Sequence, residues 1–165
     1  MKKGFDHLDN IVENIIFITT AGFVLISFLQ VIFRYVLNSS LSWSEELCRY
    51  LFVWTVFLGS AVGVFQSKHV SVDIMEKIVP DKIKPYYFLL IHVIVGLFSL
   101  FLGYVGLQMA MKSMTQTSPA MQIPLGYIYL AIPIGCSLMF INAARRAVMD
   151  LKYHKELQNK SAGVI

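Results

Sequence analysis

Charged residues are scarce in this sequence: only 15% of its 165 residues are Asp, Glu, Lys or Arg, whereas 56% are hydrophobic. An average soluble domain carries about 25% charged residues, so this composition and a mean hydropathy of +0.63 exclude an ordinary soluble domain. The long apolar runs instead predict an integral membrane protein. No Asp or Glu falls in the middle of any run. A proton-coupled carrier needs a carboxylate at that depth, so a self-contained small carrier is disfavoured.

Cysteine and histidine are also sparse, with 2 and 4 residues respectively. Cys48 and Cys136 do not form the C-x-x-C pair of a membrane thiol oxidoreductase. His92 lies in an apolar run, but His7, His69 and His154 lie in flanking segments, whereas a membrane cytochrome needs facing histidine pairs. We therefore predict no metal site, no cofactor and no enzymatic activity. A haem or redox membrane protein and a self-contained small carrier are the alternative functions.

Four apolar runs are long enough to cross a hydrocarbon core, which takes ~20 residues. They lie at about 15–35, 44–66, 86–111 and 125–146. The runs predict an all-α integral membrane fold, with residues 1–165 forming a single four-helix domain. We expect short interfacial helices as well, one of them before Pro80. Asp9 or Asn10 is expected to cap the first helix. Pro133 is expected either to kink the last span or to have its freed backbone group satisfied by a neighbour.

Lys and Arg are distributed unevenly between the two ends of these spans. Of the 14 basic residues, only Arg34, Arg49 and Lys112 lie near the side of the membrane on which the second and fourth spans begin. The others lie on the opposite side. The positive-inside rule then predicts that both termini are cytoplasmic and that loops 36–42 and 112–124 are periplasmic. The net charge of +4 reflects this topology, and we predict no nucleic-acid partner because the basic residues form no continuous stripe.

Charged and aromatic residues concentrate between the first two spans, where residues 34–54 read R-Y-V-L-N-S-S-L-S-W-S-E-E-L-C-R-Y-L-F-V-W. Ionisable groups at this depth are costly, so we expect them to be paired or to contact another protein. Glu45 and Glu46 lie four and three residues before Arg49, within pairing distance on a helix. Helix capping is the alternative role for both glutamates, a membrane-interface belt is the alternative for Trp43, and packing against other helices is the alternative for Trp54. The candidate contact residues are Arg34, Trp43, Glu45, Glu46, Arg49 and Trp54.

Small residues interrupt the second apolar run. Gly59 and Gly63 form a G-x-x-x-G pattern with Ser60 and Ala61 between them. Such a pattern lets the backbone of another helix approach closely in the membrane. We therefore predict a helix-packing surface at Gly59 and Gly63.

Several short motifs resemble those of the DctQ-type small membrane subunit of tripartite ATP-independent periplasmic (TRAP) transporters. They are R-Y at Arg34, W-S-E-E-L-C-R-Y-L-F-V-W from Trp43, L-G-S-A from Leu58, H-V-S-V-D from His69, and P-A-M-Q-I-P-L-G from Pro119. Together these motifs cover almost the whole chain, and their order relative to the four spans is similar to that in the family. The segment before His69, Gln66-Ser67-Lys68, is less basic than the family pattern.

The resemblance implies a non-catalytic subunit of the bacterial inner membrane, surrounded by lipid and assembled with two proteins. A large DctM-type subunit would hold the substrate and sodium sites for symport, and a periplasmic solute-binding protein would deliver an organic acid such as a C4-dicarboxylate or sialic acid. The small subunit would brace the large one while its substrate domain moves like an elevator. His69 and Asp73 would make polar contacts on the cytoplasmic side, and Lys112 would lie where the binding protein docks.

Overall fold

The computed structural model describes residues 2–39, 41–66 and 83–162, most of which lie in long helices. The first two helices are α1, Lys2–Tyr35, and α2, Ser42–Gln66. Helix α3 covers Lys84–Lys112 and continues into a 3-10 turn at Ser113–Thr115. The short helix α4, Gly126–Tyr129, then precedes α5, Ala131–Ala162. The interfacial helix expected before Pro80 lies outside the described residues, as do His69 and Asp73.

Four stretches of the described chain are long and apolar enough to cross a membrane: Leu8–Tyr35, Ser42–Phe65, Tyr86–Thr115 and Gly126–Lys152. The shortest has 24 residues, or about 36 Å of helix at 1.5 Å per residue, which exceeds a hydrocarbon core of about 30 Å. The prediction of an all-α fold with four spans is confirmed. The predicted start of the first helix is wrong, because α1 begins at Lys2 and Asp9 lies inside it.

The helices pack in a row rather than in the order of the chain. Helix α1 packs on α2, α2 on α5, and α5 on α3. The two helices in the middle of the row therefore make the most extensive contacts. In the most apolar window of α1 none of the residues is buried, whereas 33% are buried in that of the last span. We call the end that carries residues 36–41 and 113–125 the loop end, and the opposite end the terminal end.

Polar side chains join α1 to α2 inside the apolar region. The Thr55 hydroxyl donates to the Thr19 hydroxyl at 3.0 Å, and the Ser27 Oγ lies 3.4 Å from the Cys48 Sγ. In lipid such contacts stabilise helix association because the same groups would otherwise lack a partner. Cys48 and Cys136 are both free and buried, in keeping with their interpretation as small packing residues.

A glycine allows α5 to lie against α2. A Cβ at Gly135 would stand 2.7 Å from the Cβ of Phe57 and 2.9 Å from its carbonyl oxygen. No side chain fits at that spacing without moving the α2 backbone, so Gly135 sets the distance between the two helices.

Pro133 explains the one-residue interruption between α4 and α5. Proline lacks an N–H, so the helical bond to the carbonyl of Tyr129 cannot form. The regular helix breaks next to that carbonyl, at Leu130, although the Ile134 N–H still donates to the Leu130 carbonyl at 3.2 Å. The fourth span therefore starts as the short helix α4 and continues as α5. The helix is interrupted close to Pro133, where the sequence predicted a kink.

Candidate functional site

A buried carboxylate joins α2 to the connection between α3 and α4. Glu46 is only 9% exposed, and each of its oxygens accepts one backbone N–H. Ala120 donates to Oε1 at 2.9 Å and Met121 donates to Oε2 at 3.0 Å. Because each oxygen has a donor, the hydrogen bonds offset part of the cost of burying the charge.

Residues 113–125, which we call the outer loop, have a defined backbone of their own. The Ser118 N–H donates to the Ile123 carbonyl at 2.9 Å, and the Leu125 N–H donates to the Gln116 carbonyl at 2.9 Å. Gln122 adopts a φ of 53°, in the left-handed region that non-glycine residues enter mainly in tight turns. These bonds fold the outer loop back on itself and bring its backbone N–H groups to Glu46.

The start of α4 closes the outer loop against α3. A Cβ at Gly126 would lie 2.7 Å from the carbonyl oxygen of Ala110, and also too close to the side chain of Met114. A larger residue at this position would push the loop away from the end of α3. Glycine is therefore required here for a close approach of backbones rather than for an unusual φ angle.

The other charged residues at the loop end are arranged differently from Glu46. Glu45 Oε1 lies 3.4 Å from Arg49 Nη2, and both side chains are 67% exposed. Arg34 is also exposed, and its guanidinium carbon lies 5.9 Å from the ring centroid of Tyr35. The spacing between Glu46 and Arg49 allows an ion pair, but the loop N–H groups occupy both oxygens of Glu46. The predicted three-charge cluster is therefore a surface pair and a separate buried anchor.

The two tryptophans occupy different environments on α2. Trp43 is 44% exposed at the loop end. Trp54 is half-buried and lies on the same helix face as Leu58 and Ala61, which are buried. Trp54 therefore belongs to the packed face of α2, whereas Trp43 is accessible from outside this chain.

Gly59 and Gly63 lie on an open face of α2. No described atom comes within 4 Å of the Cβ that either position would carry. Spacings of three and four residues place them on one helix face with Arg49, Phe52 and Val56. Phe52 and Val56 are exposed by 53% and 43%, and Phe52 also packs against α1, with its ring centroid 5.9 Å from that of Phe23. We call this stripe, together with Glu45, the open face of α2: Glu45, Arg49, Phe52, Val56, Gly59 and Gly63.

At the terminal end, a second polar cluster connects three helices that sequence reasoning did not bring together. Arg145 Nη1 and Nη2 donate to the two oxygens of Asp9, both at 3.0 Å. Arg145 also donates to Asn142 Oδ1 at 3.0 Å and stacks 4.2 Å from the ring centroid of Phe65. The Asn142 side chain donates to the carbonyl of Ala61 at 2.8 Å. This terminal cluster links α1, α2 and α5.

One signal in the sequence pointed to the terminal cluster. Asn142 interrupts the fourth apolar run, and a polar residue at membrane depth usually has a specific partner. Asp9 gave no such signal because it lies among other polar residues before the first apolar run, where a helix cap is a common role.

His92 packs between α3 and α5. Its Nδ1 lies 2.6 Å from the carbonyl oxygen of Phe88, and its Nε2 lies 3.8 Å from Asp150. Asp150 also pairs with Arg146 at 3.3 Å. These contacts agree with the interpretation of His92 as a hydrogen-bonded packing residue.

Lys112 ends α3 and is exposed at the loop end. Its carbonyl accepts the Thr115 hydroxyl at 3.4 Å, so the start of the outer loop is tied to the helix. Lys112 is therefore an accessible residue at the point where the outer loop begins.

Four apolar helices, a structured loop at one end and an open small-residue face define a multi-pass α-helical membrane protein. The chain belongs to the family described as tripartite ATP-independent periplasmic transporters, DctQ component, which matches residues 23–152. Proteins of this family are inner-membrane permease components of bacterial transporters, and the predicted family and localisation are confirmed.

Individual relatives agree with this assignment. Over 105 residues the chain is 37% identical to the C4-dicarboxylate TRAP transporter small permease protein DctQ of Rhodobacter capsulatus, covering 61% of this chain and 45% of that protein. Over 146 residues it is 25% identical to a putative TRAP transporter small permease protein of Haemophilus influenzae, covering 88% of each. It is also 26% identical over 126 residues to the sialic acid TRAP transporter permease protein SiaT of Haemophilus influenzae, covering 76% of this chain and 20% of that protein.

Proposed function

We propose that this chain is the non-catalytic small membrane subunit of a TRAP-type secondary transporter for an organic acid. It braces a large sodium-coupled subunit in the inner membrane and contributes to the surface on which the periplasmic solute-binding protein docks. Both termini then face the cytoplasm, and the loop end faces the periplasm. His69 and Asp73 would make the corresponding polar contacts on the cytoplasmic side.

The open face of α2 is the observation that carries the bracing role. Glycine weakens a helix and covers no lipid surface, so a helix that only faced lipid would gain nothing from Gly59 and Gly63. In a membrane, paired glycines allow another helix backbone to approach closely. Among the described residues, no neighbouring atom lies within 4 Å of a Cβ at either glycine, which fits a transmembrane helix of the large subunit lying along Phe52, Val56 and the two glycines.

Polar residues at the loop end extend this surface beyond the lipid. The exposed Glu45 and Arg49 continue the open face of α2, and Arg34 and Trp43 are exposed nearby. These residues can pair with polar groups of a second protein without first breaking a buried contact. We therefore assign them to the contact with the large subunit, whereas Trp54 and Glu46 act within this chain.

The longer relatives support a large membrane partner. The part similar to this chain makes up 20% of the sialic acid permease SiaT and 17% of the isethionate TRAP transporter permease protein DctMQ of Oleidesulfovibrio alaskensis. In both proteins it is joined to a much longer polypeptide. A separate small subunit is expected to occupy the same position next to a separate large one.

Substitution of Gly63 by Leu tests the bracing role. The new side chain meets no described atom within 4 Å of its Cβ, so the fold of the small subunit should be retained. Overpacking at the contact with a partner helix costs about 1–3 kcal/mol, so recovery of the tagged large subunit should fall about fivefold or more. The measurement is co-purification from native membranes, together with the thermal unfolding temperature of the small subunit.

Ala144→Leu is the matched control, because Ala144 is an exposed small residue on α5, away from the open face of α2. It should leave recovery of the large subunit unchanged. Equal recovery with Gly63→Leu and Ala144→Leu would contradict the assignment of the open face of α2 to the large subunit.

Charge reversal at Lys112 tests the docking role. Lys112→Glu should slow uptake of the organic acid by about two- to tenfold, since single rim charges mainly change association rates. The amount of assembled transporter should stay the same, because Lys112 is exposed and lies away from the open face of α2. Uptake at the wild-type rate, measured at limiting binding protein, would remove Lys112 from the docking surface.

A further inference from the structure

Glu45 and Glu46 are neighbours in the sequence, but their environments are opposite. The Glu45 side chain is 67% exposed and pairs with Arg49, whereas Glu46 is 9% exposed and binds loop backbone. A carboxylate enters a buried site only when hydrogen bonds replace the lost water. The replacement for Glu46 comes from Ala120 and Met121, which follow it by 74 and 75 residues.

The geometry of these two bonds fixes the position of the loop tip. One carboxylate holds two successive peptide N–H groups, one on each oxygen, at 2.9 and 3.0 Å. Two parallel bonds to a single rigid group restrain rotation as well as distance. The tip of the outer loop is therefore held in one orientation over the start of α2, with Pro119, Ala120 and Gln122 exposed.

The internal fold of the outer loop does not use Glu46. Its turn is closed by Ser118 donating to Ile123, by Gln122 donating to Ser118 and by Leu125 donating to Gln116. Loss of the Glu46 carboxylate would leave these bonds in place. What it would remove is the attachment of the turn to α2, so the loop would keep its shape and lose its fixed orientation.

We propose that Glu46 is a positioning residue that holds the outer loop in the orientation in which a periplasmic solute-binding protein docks. This inference rests on the proposed function, since it assumes that the loop end faces the periplasm. Helices need only a short connection, and ordered loops of this length in compact domains usually serve function. The buried carboxylate holds the loop in one orientation before docking. The entropic cost of ordering the loop is therefore not incurred each time the binding protein docks.

The expected size of the effect follows from the population of the docking orientation. If the loop without its anchor spends about a tenth of its time in that orientation, the half-saturating concentration of binding protein rises about tenfold. Glu46→Ala removes both acceptors and should show the full effect. Glu46→Gln retains one acceptor oxygen and should show a smaller increase. Glu13→Gln, which changes an exposed carboxylate at the terminal end of α1, is the control and should not change the half-saturating concentration.

The experiment uses the assembled transporter in nanodiscs and its own periplasmic binding protein, titrated onto the immobilised complex. A nitroxide attached at Ala120→Cys reports the mobility of the loop tip, because Ala120 is exposed and the two native cysteines are buried. We expect Glu46→Ala to increase nitroxide mobility and to raise the half-saturating concentration about tenfold. The yield of assembled complex should equal that of the Glu13→Gln control.

Three results would overturn the inference. The first is an unchanged nitroxide spectrum in Glu46→Ala, and the second is a mobile loop with wild-type docking. The third is loss of the complex in both Glu46 variants, which would place Glu46 in assembly instead. Failure of the proposed function gives a different result: the wild-type chain would recover no large subunit, while the nitroxide would still show whether Glu46 holds the loop.

Discussion

The two polar clusters of this protein lie at opposite ends of the helices and connect different kinds of structure. At the terminal end, Asp9 and Arg145 join the side chains of two helices, and Asn142 extends the cluster to a third. At the loop end, Glu46 joins a helix to the backbone of a loop. The first cluster therefore determines how helices are arranged, whereas the second determines the orientation of a single loop.

We therefore expect the terminal cluster to affect the stability of the fold, and the Glu46 contacts to affect the orientation of the outer loop. Side-chain contacts between helices contribute directly to holding the row of helices together, so their loss should lower the free energy of unfolding. Carboxylate contacts to a loop that has its own internal bonds should affect the loop more than the helices. The exposed pair of Glu45 and Arg49 gives a third case, in which neither helix arrangement nor loop orientation depends on the contact.

The largest loss of stability is expected from the terminal cluster. Arg145→Ala leaves Asp9 without its main partner in a largely buried site, with side-chain exposures of 17% and 24% for the two residues. Removing one member of such a pair costs about 3 kcal/mol. The free energy of unfolding in detergent, measured by denaturant titration, should fall by that amount, and Asp9→Ala should come close to it.

Asn10→Ala is the control for Asp9→Ala, since Asn10 is the exposed neighbour. Its effect should stay within about 0.5 kcal/mol. Equal stability of the Asp9 and Asn10 variants would show that the terminal cluster does not hold α1 in the row.

A smaller loss is expected at the loop end. Glu46→Ala removes two hydrogen bonds, but loop N–H groups released from α2 can bind water, so the cost should be about 1–2 kcal/mol. The same denaturant titration measures it. A loss as large as that of Arg145→Ala would mean that Glu46 also supports the arrangement of the helices, and the contrast between the clusters would disappear.

The smallest effect is expected at the surface pair. Arg49→Gln should change the free energy of unfolding of the small subunit by less than about 1 kcal/mol, because both side chains are mostly exposed. Its effect should appear instead as weaker recovery of the large subunit in co-purification. Wild-type recovery at moderate and high salt would remove Arg49 from the contact surface.

The four spans were predictable because length and apolar composition are local properties of the sequence. The interruption near Pro133 was predictable for the same reason, since proline acts on the helical bond four residues earlier. The open space over Gly59 and Gly63 was only partly predictable. The G-x-x-x-G pattern indicated a packing surface but did not show that the described part of the chain leaves this surface uncovered.

The partners of the charged residues were not predictable from local spacing. Glu46 and Arg49 are three residues apart, and this spacing suggested an ion pair, yet Glu46 binds residues more than 70 positions away. Asp9 was interpreted as a cap because a cap is the common role of aspartate near the start of a helix. Its contact with Arg145 spans 136 positions and depends on how the helices are placed in three dimensions.

The open row of helices also has a mechanical consequence in the bilayer. With neighbouring axes 8–10 Å apart, four helices in a row extend at most about 30 Å between the first and the last axis, and the contact of Asp9 with Arg145 shortens this distance at the terminal end. A round bundle of the same chain would be narrower, so a row would resist tilting in the bilayer over a greater width. Under the proposed bracing role, a row attached along one edge to the large subunit would steady that subunit, because tilting would have to displace the lipid around the outer helices.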